Sequence, residues 1–169
     1  LLHEEYEKRG IRVITEQVLS KVELDDSGRK SVQLSSGETL LVDQVMLALG
    51  RQPLTGSLGL DQAGVETNDR GYIKVDDYSR TNVANIWAVG DVTDRVQLTP
   101  VAIHEAMCFV ATEFRGEPQR PDHDMIPTAV FSHPEIGTVG LSEEDAAKQF
   151  EKLHVFRANF RPMKHTLSG

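Results

Sequence analysis

The most constraining feature of this chain is a short apolar run that ends in Gly and Asp and is soon followed by a helix start. Residues 86–89, Ile-Trp-Ala-Val, are continuously apolar, which predicts a strand buried on both faces. Gly90 permits a close backbone approach, and Asp91 places a carboxylate at the carboxyl end of the strand, where ligands bind in open α/β sheets. Thr99 and Pro100 are predicted to be the N-cap and the first residue of a helix, whose free N–H groups carry partial positive charge. The segment therefore offers one ligand both a hydrogen-bond acceptor and a cationic helix end.

The patterns before residue 86 predict two kinds of strand. Apolar and polar residues alternate between 18 and 42 and are interrupted by two turn sequences, which predicts an antiparallel meander of half-buried strands. Residues 45–49 are continuously apolar and are followed by Gly50, so they predict a second strand that is fully buried. A helix at 2–9 and short strands at 11–14 and 72–75 complete the predicted elements of this part.

The composition excludes several function classes. Of the 169 residues, 39% are hydrophobic and 26% are charged, and no apolar run reaches the roughly 18 residues of a membrane span. A net charge of −8 argues against binding to nucleic acid, whose phosphates would be repelled. The single Cys108 cannot form an internal disulfide and the first residues lack a basic stretch, so we expect a cytoplasmic protein. The chain begins inside a predicted helix and ends just after a predicted strand, so we expect it to be the middle of a larger protein.

The helix that starts near Thr99 is predicted to extend to about residue 115, because Gly116 follows. His104 and Cys108 lie four residues apart on it, but two ligands do not make a metal site, so no metal is expected. Cys108 is expected to be a small apolar residue and not a nucleophile. Asp94, in the loop before the helix, is expected to face water. Helical spacing predicts a core-facing stripe that consists of Ile103, Met107, Val110 and Phe114.

A second composition begins after the prolines at 118 and 121. Strands are predicted at 126–131 and 135–141, and a helix begins after Ser142, which is its predicted N-cap. A further strand is predicted at 155–160. This part of the chain therefore has a predicted β-β-α-β order.

Three motifs resemble one family. Trp-Ala-Val-Gly-Asp-Val-Thr at 87–93, followed by Leu-Thr-Pro-Val-Ala at 98–102, resembles the second flavin-binding motif of the pyridine nucleotide-disulfide oxidoreductases, and glutathione reductases in particular. Residues 131–141 resemble the opening of that family's dimer-interface domain, and Phe-Arg-Pro-Met at 160–163 is similar to glutathione reductases.

The resemblance implies an α/β fold that consists of parts of three domains. Residues 1–53 would be the C-terminal part of a Rossmann-like NAD(P)-binding domain. Residues 54–123 would be the second segment of a FAD-binding domain, and residues 124–169 the start of an α+β dimerisation domain.

The resemblance also implies five cofactor-binding residues and two cofactors, FAD and NADPH. Asp91 would bond the ribityl hydroxyls of FAD, and the backbone N–H of Thr99 would meet the flavin pyrimidine edge. Gly50 would approach NADPH closely, and Gln97 and Val130 would line the nicotinamide side. The alternatives are a simple turn glycine for Gly50, a solvated loop side chain for Gln97 and a core residue for Val130.

The residues that carry the family's disulfide chemistry are not in this chain. There is no Cys-x-x-x-x-Cys and no Gly-x-Gly-x-x-Gly. His133-Pro134 is followed by Glu135, and not by the Thr that follows His-Pro in the family's catalytic segment, so the histidine of the family's catalytic His-Glu pair is also absent. We therefore expect no catalytic residue here and no activity from these residues alone.

The implied activity of the parent protein is electron transfer from NADPH through FAD and a dithiol to glutathione disulfide, in a homodimer. Met107 stands where many glutathione reductases have Arg, so the identity of the disulfide substrate stays open. The alternatives to a glutathione reductase are a trypanothione reductase-like enzyme, a dihydrolipoyl dehydrogenase-like enzyme, and a non-catalytic binding or assembly piece. These residues also do not distinguish NADPH from NADH, because the residues that recognise the ribose 2′-phosphate of NADPH are expected upstream of Leu1.

Overall fold

The computed structural model describes residues 2–160, 163 and 166. The motif at 160–163 includes Arg161 and Pro162, which lie outside the described residues. The described helices and strands are, in chain order, α1 (Leu2–Lys8), β1 (Leu19–Leu24), β2 (Lys30–Leu34), β3 (Thr39–Val42), α2 (Leu60–Ala63), a 3₁₀ helix (Gly90–Thr93), α3 (Thr99–Phe114), β4 (Thr128–Val130), β5 (Ile136–Thr138) and α4 (Glu143–Gln149).

The predicted antiparallel meander is confirmed. Strands β1, β2 and β3 form one sheet in that order, and Val32 in β2 pairs with Val22 on one side and with Leu40 on the other. The prediction of half-buried strands is wrong for β1, where every residue is exposed. Alternating apolar residues become buried only where another layer covers that face, and no such layer lies over β1 in the described part of the chain.

The fully buried strand predicted at 45–49 is wrong, as is the strand at 11–14. Neither segment forms a strand, and Met46 and Leu49 are 90% and 87% exposed. A strand requires a neighbour that completes its hydrogen-bond ladder, and the described residues provide none for these two segments. A continuous run of apolar residues therefore favours burial, but it does not by itself form a strand.

Residues 86–89 are buried or half-buried, and so are Tyr72, Ile73 and Val75, whereas Lys74 is exposed. The two segments form isolated bridges and not the predicted strands. The Ala88 N–H donates to the Ser79 carbonyl over 3.1 Å, and the Ile73 N–H donates to the Val92 carbonyl over 2.9 Å. These two bonds hold both segments around the main core, which is formed by Val65, Ile73 and Ala88 with Leu60, Val75, Val83, Ile86 and Val92 packed against it.

The predicted helix after Thr99 is confirmed in its extent, but its start differs by one residue. Leu98 is the N-cap of α3, Thr99 is the first helical residue and Pro100 the second. Proline is tolerated there because an N–H in the first turn has no partner inside the helix.

The face of α3 that is buried is not the predicted one. Ile103, Met107 and Phe114 are 57%, 66% and 75% exposed, so the expected core stripe is wrong. The helix instead packs against the 3₁₀ helix with its other face, which consists of Val101, Glu105, Cys108 and Ala111. Helical spacing identifies an apolar stripe, whereas the neighbouring elements decide which face is covered.

The last part of the chain confirms the predicted β-β-α order. Strands β4 and β5 pair antiparallel, with Ala129 opposite Gly137. Ser142 caps α4 as predicted, because its Oγ accepts the Asp145 N–H over 3.1 Å. The strand expected at 155–160 is wrong, since these residues have no regular structure. Within the described ranges, no helix is long and apolar enough to cross a membrane.

Candidate functional site

The Gly-Asp turn lies directly on α3. Gly90 has a φ of +75°, and a Cβ atom at this position would lie 3.0 Å from the Ala102 Cβ. Glycine therefore permits both the left-handed backbone and the close contact with the helix. Asp91 follows as the second residue of the 3₁₀ helix, and its Oδ2 lies 3.0 Å from the Arg51 Nη2. The Asp91 side chain is 41% exposed, so its carboxylate is accessible to a ligand.

The start of α3 leaves a hydrogen-bond donor uncompensated. The Val101 and Ala102 N–H groups both donate to the Leu98 carbonyl, over 3.0 and 3.1 Å. Leu98 has no side-chain cap, and the Thr99 N–H has no partner among residues 2–160. Thr99 is exposed, so this N–H and the positive end of a 16-residue helix are available to an anionic or carbonyl group.

Asp91 and Gln97 line one cavity of about 330 Å³ together with Arg51. The Gln97 Nε2 donates to the Tyr72 hydroxyl over 3.0 Å, and this hydroxyl donates to the Arg51 carbonyl over 3.1 Å. Because Tyr72 is only 1% exposed, Gln97 is held in place and is not a solvated loop side chain. The remaining lining residues are Gln52, Pro53, Leu54, Thr55, Leu58 and Val92.

Gly50 and Val130 do not line the cavity that contains Asp91 and Gln97. Gly50 is exposed, has a φ of +99° and precedes Arg51, so it lies at the border of this cavity. Val130 pairs with Ile136 and is 45% exposed, so it is not the core residue of the alternative interpretation. It lines none of the cavities that contain Asp91 or Gln97 in the described chain. The binding roles of all five residues remain predictions.

The expectation that Asp94 faces water is wrong. Asp94 has a φ of 58°, and its Oδ2 accepts from the Asn68 Nδ2 over 3.3 Å and from the Arg70 Nη1 over 3.4 Å. Its side chain is 30% exposed. Asp94 therefore connects the loop after Asp91 to the earlier turn at residues 68–70 through these two hydrogen bonds.

Cys108 is a buried residue, as expected. It is 3% exposed, and its Sγ lies 3.8 Å from the His104 Nε2. Burial, and then the nearby Glu105 carboxylate, raise the pKa of the Cys108 thiol above its usual range, so the reactive thiolate is disfavoured. The described residues contain no group of three His, Cys, Asp or Glu side chains that could hold a metal ion.

Sequence reasoning missed the most buried charged group next to the site. Glu105 is 1% exposed, and its carboxylate contacts the Gly90 N–H, His123 and Arg95. Its position between Val101 and Cys108 on one helix face was the available signal, because an acidic residue within a buried stripe requires partners. Arg51 was also missed, although it directly follows the Gly50 that ends an apolar run.

Comparison with known proteins agrees with the motifs. The family model described as pyridine nucleotide-disulphide oxidoreductase matches residues 1–106, and the model of that family's dimerisation domain matches residues 126–169.

Similar proteins include trypanothione reductase of Trypanosoma congolense, which is 52% identical over 95% of this chain and 32% of its own length. The chloroplastic/mitochondrial glutathione reductase of Pisum sativum is 48% identical over 95% of this chain and 29% of its own length. The solved structure of the HOCl-induced flavoprotein disulfide reductase RclA from Escherichia coli superposes with a TM-score of 0.79 at 29% identity, over 86% of this chain and 33% of that one. The chain thus spans about a third of the length of these relatives.

Proposed function

Because the chain belongs to the pyridine nucleotide-disulphide oxidoreductase family, we propose that the protein expressed from its complete reading frame is a flavin-dependent glutathione-disulfide reductase. FAD and NADPH are the cofactors of this family. When bound, FAD would accept a hydride from NADPH and pass two electrons to a disulfide. The observation that carries the proposal is the accessible Asp91 carboxylate beside the uncapped start of α3.

The residues present fit the polar parts of FAD. Asp91 accepts hydrogen bonds only, and Arg51 contacts its Oδ2 at 3.0 Å, which leaves Oδ1 for a ribityl hydroxyl. The Thr99 N–H, at the positive end of α3, would donate to a flavin carbonyl and favour negative charge there. Gln97, oriented by the Tyr72 hydroxyl at 3.0 Å, would line the nicotinamide side. Gly50 and Val130 would complete that side once NADPH is bound.

We further propose the domain layout and assembly that the family implies. Residues 1–53 would complete an NAD(P)-binding domain, residues 54–123 would form the second segment of a FAD-binding domain, and residues 124–169 would begin a dimerisation domain that forms a homodimer. The match of the dimerisation model to residues 126–169 supports this assembly. A reducing compartment such as the cytoplasm suits the single buried Cys108.

Trypanothione disulfide is the second candidate substrate. The 52% identity with a trypanothione reductase supports it, and so does Met107, which is 66% exposed where many glutathione reductases have Arg. Glutathione disulfide is an anion, whereas the spermidine bridge makes trypanothione disulfide a cation. Without an Arg at position 107, the attraction for an anionic substrate is weaker.

The test uses protein from the complete reading frame. Flavin absorbance of the purified protein reports bound FAD, and NADPH oxidation is measured with glutathione disulfide, trypanothione disulfide and lipoamide, and repeated with NADH. We expect bound FAD and NADPH oxidation that is fastest with glutathione disulfide.

The variant Met107→Arg serves as a matched probe of substrate charge and should lower KM for glutathione disulfide while raising it for trypanothione disulfide. If the parent protein oxidises NADPH faster with trypanothione disulfide, the proposed glutathione substrate is wrong and trypanothione disulfide takes its place. Flavin-free protein without disulfide-dependent NADPH oxidation would leave only a binding or assembly role.

A further inference from the structure

Glu105 is a buried carboxylate to which the proposed cofactor contacts assign no role. It lies within α3 and is 1% exposed, whereas acidic side chains are rarely buried unless they are paired. Its two oxygen atoms have different partners. Oε2 contacts the Gly-Asp turn, whereas Oε1 contacts His123 in the segment after α3 and Arg95 in the loop before α3.

The first oxygen holds the turn. Glu105 Oε2 accepts the Gly90 N–H over 2.6 Å, and the hydrogen bond is buried. The same glycine lies against Ala102, whose Cβ would be 3.0 Å from a Cβ on residue 90. Two residues of α3 therefore contact Gly90, and Asp91 is the next residue along the chain.

The second oxygen contacts an imidazole and a guanidinium. Glu105 Oε1 lies 2.7 Å from the His123 Nε2 and 3.6 Å from the Arg95 Nη1. Arg95 is 19% exposed and also donates to the Asp76 carbonyl and, over 3.5 Å, to the Ser79 hydroxyl. His123 belongs to the segment between α3 and β4. The carboxylate thus joins α3, the turn and this segment in one hydrogen-bonded group.

We propose that Glu105 is a positioning residue of the flavin site, which holds the Gly90–Asp91 turn at a fixed distance from the start of α3. The inference rests on the proposed function, because it takes FAD as the ligand of Asp91 and Thr99. Glu105 and Thr99 share one rigid helix and are separated by about 9 Å of helix rise. Restraining Gly90 from that helix therefore restrains Asp91 relative to the Thr99 N–H. A ligand that bonds both groups binds more tightly when their separation is set before it arrives.

The chain offers a matched control on the same helix. Glu113 lies 2.8 Å from Arg80, but its side chain is 23% exposed and its partner is 48% exposed. This ion pair also joins α3 to an earlier loop, yet it does not contact the Gly-Asp turn. Loss of an ordinary inter-element ion pair is therefore measured by Glu113→Gln.

The experiment uses protein from the complete reading frame with its flavin removed. Glu105→Gln keeps an amide oxygen for the Gly90 N–H, whereas Glu105→Leu has a similar volume and no acceptor. The dissociation constant of FAD is measured by fluorescence titration, the thermal midpoint is measured without FAD, and the visible circular dichroism of bound flavin is recorded. We expect Glu105→Leu to raise the FAD dissociation constant about tenfold and Glu105→Gln about threefold, because a buried acceptor is lost only in the former. Glu113→Gln should leave both the constant and the dichroism unchanged.

Each outcome supports or overturns the inference. If the parent protein binds no FAD, the proposed function fails and the inference fails with it, because Asp91 and Thr99 then have no flavin to bind. If the parent binds FAD and folded Glu105→Leu retains its affinity, the positioning role is refuted while the proposed function stands. Equal weakening by Gln and Leu would also refute it, since the bond to Gly90 would then be irrelevant.

If Glu105→Leu does not fold, a variant of His123, which contacts the other carboxylate oxygen of Glu105, tests the same inference. His123 is 26% exposed, so His123→Ala removes one partner of Glu105 from a partly solvated position. We expect a weakening of FAD binding by about threefold, because the carboxylate is then less firmly oriented. Unchanged FAD affinity in a folded His123→Ala protein would count against the inference.

Discussion

Replacement of Asp91 by alanine should weaken FAD binding strongly and leave the stability of the flavin-free protein almost unchanged. The carboxylate contacts Arg51 at 3.0 Å, and both side chains are substantially exposed, at 41% and 72%. Exposed ion pairs contribute only about 0–1 kcal/mol, so the free energy of unfolding should fall by less than that. Charge-assisted hydrogen bonds to a ligand contribute roughly 1.5–3 kcal/mol, so the FAD dissociation constant should rise about tenfold to a hundredfold.

Asp94→Ala is the matched control and should have the opposite pattern. Asp94 accepts bonds from Asn68 and Arg70 at 3.3 and 3.4 Å, and its φ of 58° is strained for alanine. We therefore expect a loss of about 1–2 kcal/mol in unfolding free energy. FAD affinity should stay within about twofold, because this carboxylate lies in the loop after the proposed contact.

The assay compares these variants of the complete protein in two measurements. FAD is titrated into flavin-free protein, and urea unfolding is recorded before FAD is added. Thr99→Ala is a third variant: Leu98 is the N-cap and the Thr99 backbone N–H is retained, so both values should match the parent. If Asp91→Ala binds FAD as tightly as the parent, the flavin site is not at this turn and the reasoning is refuted.

Three further predictions follow from the same residues. Gly90→Ala should destabilise the protein in urea by more than Gly116→Ala, because both glycines have positive φ but only a Cβ at position 90 lies 3.0 Å from Ala102; equal losses would contradict the close contact. The Cys108 thiol should react with a disulfide reagent far more slowly at pH 8 than a free cysteine and at an ordinary rate in guanidinium, because burial raises its pKa and blocks access; fast reaction of the folded chain would contradict this. The 169-residue chain alone should oxidise no NADPH with glutathione disulfide, since it contains a single cysteine; turnover by the pure chain would overturn the prediction.

Signals carried by neighbouring residues were reliable in the sequence. The extent of α3 to within one residue at each end, the meander of β1 to β3 and the Ser142 cap of α4 were predicted correctly. Caps, turn residues and periodicity act over a few residues, so they are visible without knowledge of the fold. The flavin motif could be identified for the same reason, because its Gly, Asp, Thr and Pro are close together in the chain.

Features that need a distant partner could not be predicted. Residues 45–49 and 86–89 have the same apolar continuity, yet the first segment is largely exposed and the second packs against the core. The stripe with Ile103 and Met107 was as apolar as a buried face, but α3 packs with its other side. Burial of apolar residues is energetically favourable, but the surrounding elements decide which of these residues are covered.

The candidate site divides in the same way. The sequence alone identified the groups that are proposed to bind a cofactor, the Asp91 carboxylate and the start of α3, because the chemistry of a carboxylate and of a free helix end does not depend on their surroundings. Only the tertiary structure decided that Gln97 bonds to Tyr72, that Arg51 reaches Asp91, and that Glu105 bonds to Gly90. The three pairs are 25, 40 and 15 residues apart in the chain, so the backbone must fold before their atoms can meet.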